Sequence, residues 1–240
     1  MTALFNAHTH RDLPASSGAG PASDAPPEAA VWPVGVSSDY APKPGHQWYV
    51  LRVTYNRRQA AVRMVREAQV QCYVPMHYVK ITPPPGSPEK PLKGKGRPHL
   101  VLEPLMPNLV FVYARRRQAD ALVGLRDGGL SVLKYYLNRT LTPEGNGKHP
   151  PLTVPHEQML NFIRATVTCN EHVRLVSTEQ CHYRPGDRVR VVEGEFEGVV
   201  GRVARVSGQQ RVVLELEGIC LLATAYVPSA FLREAEAPVG

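Results

Sequence analysis

Behind the turn Arg184-Pro185-Gly186-Asp187, five short β-like segments crowd into the end of the chain: Arg188–Val192, Gly198–Ser207, Gln210–Leu216, Ile219–Ala225 and Phe231–Leu232. Hydrophobic alternation is clean at Val189/Val191 and at Val199/Gly201/Val203. Too few residues remain for a two-sheet sandwich, whereas five short strands that close on themselves remove their exposed edges. A small barrel over residues 183–234 is therefore expected, with a short tail at 235–240.

Upstream the texture is different. Trp48-Tyr49-Val50-Leu51-Arg52-Val53 has the bulky composition of a strand covered on both faces, and Asn56 is placed to cap a helix over 57–68 in which Ala61, Met64, Val65 and Ala68 share one stripe. Strands are expected at 70–76, 99–102, 109–113 and 132–137, with helices at 118–126 and 155–165, the last opened by Pro155. This order describes an α+β domain over 48–165, an antiparallel sheet with packed helices. Residues 166–182 show little period and are expected to be a linker. The chain holds 23 Pro and 19 Gly in 240 residues, more than compact domains need, and many fall in an Ala/Pro/Ser-rich stretch at 1–47, expected to be a flexible tail. A second Pro/Lys-rich excursion, 80–98, interrupts the sheet and is expected to be a wet, basic loop.

The formal charge of +7 resolves into −2 for residues 1–47, +10 for 48–181 and −1 for 182–240. Positive charge belongs to the middle domain and favours nucleic acid or an acidic protein as partner. No apolar run approaches the roughly 18 residues of a membrane span, and no amino-terminal secretion pattern is present, so a cytoplasmic protein without a membrane partner is expected. Cys72, Cys169, Cys181 and Cys220 follow no disulfide or metal spacing and are expected to be free thiols.

The run Gly186-Asp187-Arg188-Val189-Arg190-Val191-Val192-Glu193-Gly194-Glu195-Phe196-Glu197-Gly198-Val199-Val200-Gly201-Arg202-Val203 resembles a KOW motif, two strands about a glycine-pivoted turn. Gly194, Gly198 and Gly201 suit positive φ or close backbone approach, and Phe196 suits the end of the core. Trp48–Val53 resembles the opening strand of the NusG amino-terminal (NGN) domain, and Pro104-Leu105-Met106-Pro107-Asn108-Leu109-Val110-Phe111-Val112 resembles its stretch of two apolar residues, Pro, Gly, an aromatic and a strand. The resemblance covers 48–234 and is nearest in pattern to the specialised NusG paralogues that Bacteroides-type bacteria use with capsular polysaccharide operons. Asn108 stands where that family usually has Gly, and Leu109 where it has an aromatic.

The resemblance implies an α+β fold, an NGN-like sheet followed by a five-stranded SH3-like KOW barrel, and a transcription elongation or antitermination factor. It implies that the first domain grips the clamp helices of the large RNA polymerase subunit and favours processive transcription, through Tyr49, Leu105, Met106, Pro107, Leu109 and Phe111. Met106 is expected to be held outward by the Pro107 turn. Arg52, Arg57, Arg58 and Arg63, with Arg115-Arg116-Arg117, are the candidates for non-template or upstream DNA, since guanidinium both binds phosphate and stacks on unpaired bases. Nascent RNA, a termination factor or a ribosomal protein would engage the KOW domain.

No enzyme and no cofactor are expected. The segment Asn6-Ala7-His8-Thr9-His10-Arg11-Asp12 looks like the His-x-His opening of metal-dependent hydrolases, but no repeating β/α pattern follows to supply further ligands. Cys169, Cys181 and His182 lack a fourth zinc ligand. The remaining rival is a structural RNA-binding protein of the ribosomal KOW kind, against which the acidic balance of the barrel, 7 basic to 8 acidic residues over 182–240, argues.

Overall fold

The computed structural model describes residues 40–54, 57–82, 98–143, 145 and 147–235, leaving the side chains of 183–187 undescribed. The capping role of Asn56, most of the 1–47 tail, the basic loop and the last residues lie outside them. In chain order the elements are β1 (His46–Val53), α1 (Arg58–Glu67), β2 (Gln71–Tyr73), β3 (Met76–Ile81), β4 (His99–Pro104), β5 (Leu109–Arg115), α2 (Arg116–Gly124), β6 (Arg126–Asp127), β7 (Leu130–Ser131), β8 (Leu133–Tyr135), β9 (Thr153–Val154) and α3 (His156–Thr166). They continue as β10 (Arg174–Val176), β11 (His182–Val191), β12 (Val200–Val206), β13 (Gln209–Leu216), β14 (Cys220–Tyr226) and β15 (Leu232–Glu234).

The architecture is α+β, and its internal contacts separate two compact units, Met1–Val74 with Asn108–Leu160 and Pro75–Pro107 with Asn161–Gly240. This division differs from the expected one at 165–183. The β3–β4 segment groups with the carboxy-terminal sheet, and the boundary falls inside α3.

In the first unit the antiparallel sheet runs β2-β5-β1-β8, and β9 shares the β8 edge of β1. The β1–β5 ladder extends from His46 opposite Arg115 to Arg52 opposite Leu109. Trp48–Leu51 and Val110–Ala114 are buried residue after residue, as a central pair covered on both faces requires. Trp48 stacks on Tyr113 with ring centroids 5.0 Å apart. Its indole Nε1 donates to His156 Nδ1 at 3.3 Å, and because indole can only donate, the imidazole proton sits on Nε2, which donates to the Tyr40 carbonyl at 2.8 Å. Helix α1 buries Ala61, Met64 and Val65 of the expected stripe, with Val62 beside them, while Ala68 falls after the helix end and is exposed, next to Gln69 at φ +55°. The helix expected at 118–126 is α2, shifted two residues towards the amino terminus. Beyond it Arg126 belongs to a tight β6–β7 hairpin turned by Gly128 and Gly129, both at positive φ.

In the second unit β3 and β4 form an antiparallel pair, so the single strand expected at 70–76 is two, β2 and the start of β3. The main sheet is a six-stranded antiparallel path, β10-β14-β13-β12-β11-β15. Five of its strands correspond to the five expected segments, but β11 begins at His182 and runs through the expected turn at 184–187, its register shifting between Tyr183 and Arg188. The sixth, β10, lies inside the expected linker and pairs with β14 from Arg174 opposite Ala223 to Val176 opposite Leu221. Three residues carry no readable period, so neighbours alone make them a strand.

Phe196 is buried, and Gly194 and Gly198 have φ of +84° and +81°. Gly201 has an ordinary φ, but a Cβ there would sit 2.5 Å from the Val213 carbonyl oxygen and 2.7 Å from Val212 Cγ1. Its need is the close approach of β13. Gly201→Ala is expected to lower the unfolding free energy of this unit by about 1–3 kcal/mol, as overpacking does. Gly45 lies in open space in the first unit, and Gly45→Ala should change that unit only through its positive φ. Denaturant unfolding of both variants, followed by probes in each unit, checks the contrast.

Candidate nucleic-acid interface

The cations expected to meet nucleic acid divide by what surrounds them. Arg57 Nη1 donates to the Asp127 backbone oxygen at 2.8 Å and to its carboxylate at 3.0 Å, so Arg57 holds the β6–β7 hairpin against the start of α1. Arg63 reaches the same carboxylate at 3.7 Å and Glu67 at 3.9 Å, both loose contacts at the surface. Arg116 donates from Nε to Asp120 at 3.0 Å, lies 5.5 Å from the centre of the Tyr135 ring, and is thereby occupied. Burial disfavours ionised Asp120, yet hydrogen bonds from the Tyr135 hydroxyl at 2.8 Å and from Arg116 together hold its carboxyl below the usual value. Arg115 and Arg117 are exposed flanking residues at the start of α2.

Arg52 is differently placed. It is the outward residue near the end of β1, directly opposite Leu109 of β5 on one side and Lys134 of β8 on the other. Residues opposite one another in an antiparallel ladder project from the same face, so Leu109, Arg52 and Lys134 form one row. Arg52 and Lys134 are exposed, Leu109 is partly exposed, and neither cation has an ion pair among the described residues. Two like charges side by side repel one another, a cost that an anionic partner would reverse. Lys134 was missed in the sequence; its signal is the buried–exposed–half-buried order of Leu133-Lys134-Tyr135, visible only once β8 is placed. Arg58 is half-buried.

Of the six apolar residues expected to face a partner, Pro107 is exposed and Leu109 partly so. Tyr49, Leu105, Met106 and Phe111 are buried, and as placed they offer little surface to a partner. Tyr49 and Phe111 belong to the two central strands, where both faces are covered. Leu105 is drawn in by its amide, which donates to the Pro75 carbonyl at 2.9 Å, and Met106 follows at 5% exposure, which corrects the expectation that the Pro107 turn holds it outward.

The family model described as "Transcription termination factor nusG" matches residues 46–163. Those residues are a NusG-family domain. The NusG match begins at the first residue of β1 and ends in α3, taking in the Arg52 row and stopping before the six-stranded sheet. A domain of this family supports a transcription elongation or antitermination factor in general. Among solved structures, a Thermotoga maritima NusG described under "Domain interaction in Thermotoga maritima NusG" is similar over 80% of this chain and 98% of that one, at 14% identity and a TM-score of 0.37, too loose a superposition to carry weight. Comparison with curated protein sequences found no match.

Among the described residues no group of three or more His, Cys, Asp or Glu is placed to hold a metal ion; His8 and His10 lie outside them. The four cysteines are free, and burial pushes the thiols of Cys72, Cys169 and Cys220 up to about 12, away from thiolate chemistry at neutral pH. No helix among the described residues is long and apolar enough to cross a membrane.

Because Met106 is packed inside, Met106→Asp is expected to destabilise its unit by about 3 kcal/mol or more, the cost of an unpaired buried charge. Circular dichroism of the variant during denaturant titration measures it; an unchanged midpoint would return Met106 to the surface.

Proposed function

We propose that this chain is a NusG-type elongation or antitermination factor that binds RNA polymerase at the clamp helices of the large subunit, contacts upstream or non-template DNA beside it, and favours processive transcription. The family match over 46–163 carries the reading. The row of Leu109, Arg52 and Lys134 supports it with an apolar residue at one end followed by two cations that have no ion pair among the described residues, a surface suited to a junction of protein and phosphate backbone. Arg58 and Arg63 add charge on the neighbouring helix, while Arg57 fixes the hairpin. Pro107 and Leu109 replace the buried members of the expected apolar set as the contact to polymerase.

Asn108 and Leu109, in place of the family's usual Gly and aromatic, argue for a specialised factor, and we extend the proposal to action on particular operons of the polysaccharide kind. Through its KOW-like sheet such a factor would engage a further partner, either RNA or a protein of the termination or translation machinery.

The double variant Arg52→Glu, Lys134→Glu changes two exposed side chains and should leave folding intact. Its affinity for a reconstituted elongation complex is expected to fall about tenfold or more, with a shallower salt dependence, because charges at an interface rim govern association. An unchanged titration with unchanged salt slope overturns the placement. Failure of the wild-type chain to bind polymerase overturns the function.

A further inference from the structure

We infer that the carboxy-terminal sheet carries a phosphate-type oxyanion site built from Arg174, Ser207 and Arg211. It stands independently of the transcription reading.

Arg211, on β13, is 5% exposed. Its Nη1 donates to the carbonyls of His172 at 2.8 Å and Thr224 at 2.6 Å, and its Nη2 to Gln209 Oε1 at 2.8 Å. Every acceptor is neutral. Arg174, on β10, donates from Nη2 to Ser207 Oγ at 2.9 Å, again a neutral partner. Neither guanidinium has an ion pair among the described residues, and the Nε of each is buried without an acceptor. The two charges feel each other: burial first, and the charge of Arg174 after it, make Arg211 a weaker base than usual.

Structural needs alone do not call for this arrangement. One buried cation can knit carbonyls together, but placing a second beside it without a counter-charge adds repulsion and desolvation that a neutral side chain would avoid. A bound oxyanion removes both costs, and charge-assisted bonds from guanidinium to phosphate are among the stronger ones available. Arg174 is only partly buried, and among the described residues its bond is made through Nη2, so Nη1 offers the contact edge. Arg211, with both terminal nitrogens engaged, supplies field. Ser207 is set by the Ser207–Gly208 turn between β12 and β13, where both residues take positive φ, +50° and +79°, as the tight hairpin demands.

A neighbouring residue indicates where such a phosphate would come from. Tyr226, on β14, lies directly opposite Arg211 in register and is 58% exposed. An open aromatic ring beside a cationic site is the pairing that receives a base and its phosphate from a single strand. Free phosphate shares the oxyanion chemistry without using Tyr226.

The test uses the full chain. Inorganic phosphate is titrated at ionic strength held constant with chloride, reading unfolding midpoint and the arginine Nε–H resonances. The expected result is saturable stabilisation by phosphate beyond chloride, with affinity about tenfold weaker in Arg174→Gln, the loss of one charge-assisted contact. Arg174→Lys, which keeps charge but not the fork, should fall between, and it is read instead if the Gln variant does not fold. Equal effects of phosphate and chloride on the wild type, or phosphate affinity unchanged in these variants, overturn the site. A second arm adds a short single-stranded RNA. Competition with phosphate, and about tenfold weaker RNA binding in Tyr226→Ala, identify a strand as the source. Phosphate binding without competition supports the site for free phosphate.

Discussion

The first unit depends on the burial of β1 and β5 over both faces. A strand pair enclosed in this way must spend all its side chains on packing, and Trp48 shows how completely: its ring stacks on Tyr113, and its one polar atom is passed through His156 to the Tyr40 carbonyl. That relay satisfies a buried donor that would otherwise cost about 1–3 kcal/mol. It also leaves nothing on the middle of the ladder for a partner. Surface chemistry is displaced to the end, where Arg52 and its neighbours Leu109 and Lys134 emerge. The buried state of Phe111 and the exposed state of Arg52 therefore follow from one cause.

Backbone proximity plays the equivalent role in the second unit. At Gly201 β12 comes so near β13 that no side chain fits, immediately before the β12–β13 ladder begins at Arg202. At the first residue of β12, Val200 is held by Asn161, whose side-chain amide accepts from the Val200 N–H at 2.8 Å and donates to its carbonyl. A side-chain amide thus stands in for a neighbouring strand at the position where β12 begins. The close approach at Gly201 and the Asn161 amide at Val200 act beside the apolar cluster of Cys181, Ala204, Val206, Val213 and Ala223.

Much of this was legible in the amino acids. The run 48–53, the stripe of α1 and the glycine-punctuated end announce themselves because their signals are local: composition, spacing of three and four, and φ-permissive residues. What was not legible needed a neighbour. β10 has three residues and exists through β14; α1 stops at Gln69, a residue that gives no warning of positive φ. Met106 looked like a turn residue facing water because Pro107 follows it, yet Pro75 captures the preceding amide and carries both apolar side chains inward. Arg57 and Arg58 read alike in sequence, and only the position of Asp127 separates a hairpin anchor from a cation with no ion pair among the described residues.

The arginines differ most in how their charge is balanced, and that difference bears on function more than their number does. Arg57 and Arg116 face carboxylates placed within hydrogen-bonding distance, so their charge is spent inside the fold. Arg52 lies beside Lys134, and Arg174 beside Arg211, with neutral acceptors or none. The overall positive charge of the middle region is consistent with either use and cannot choose between them. Counter-charge accounting can. In water the Arg52 pair is screened and costs little, which suits a contact formed and broken reversibly at a surface. Around Arg211 water is excluded and the same imbalance is larger, so whatever anion relieves it would be held by few contacts but a strong local field. The described residues thus contain two kinds of cation site, distinguished by burial.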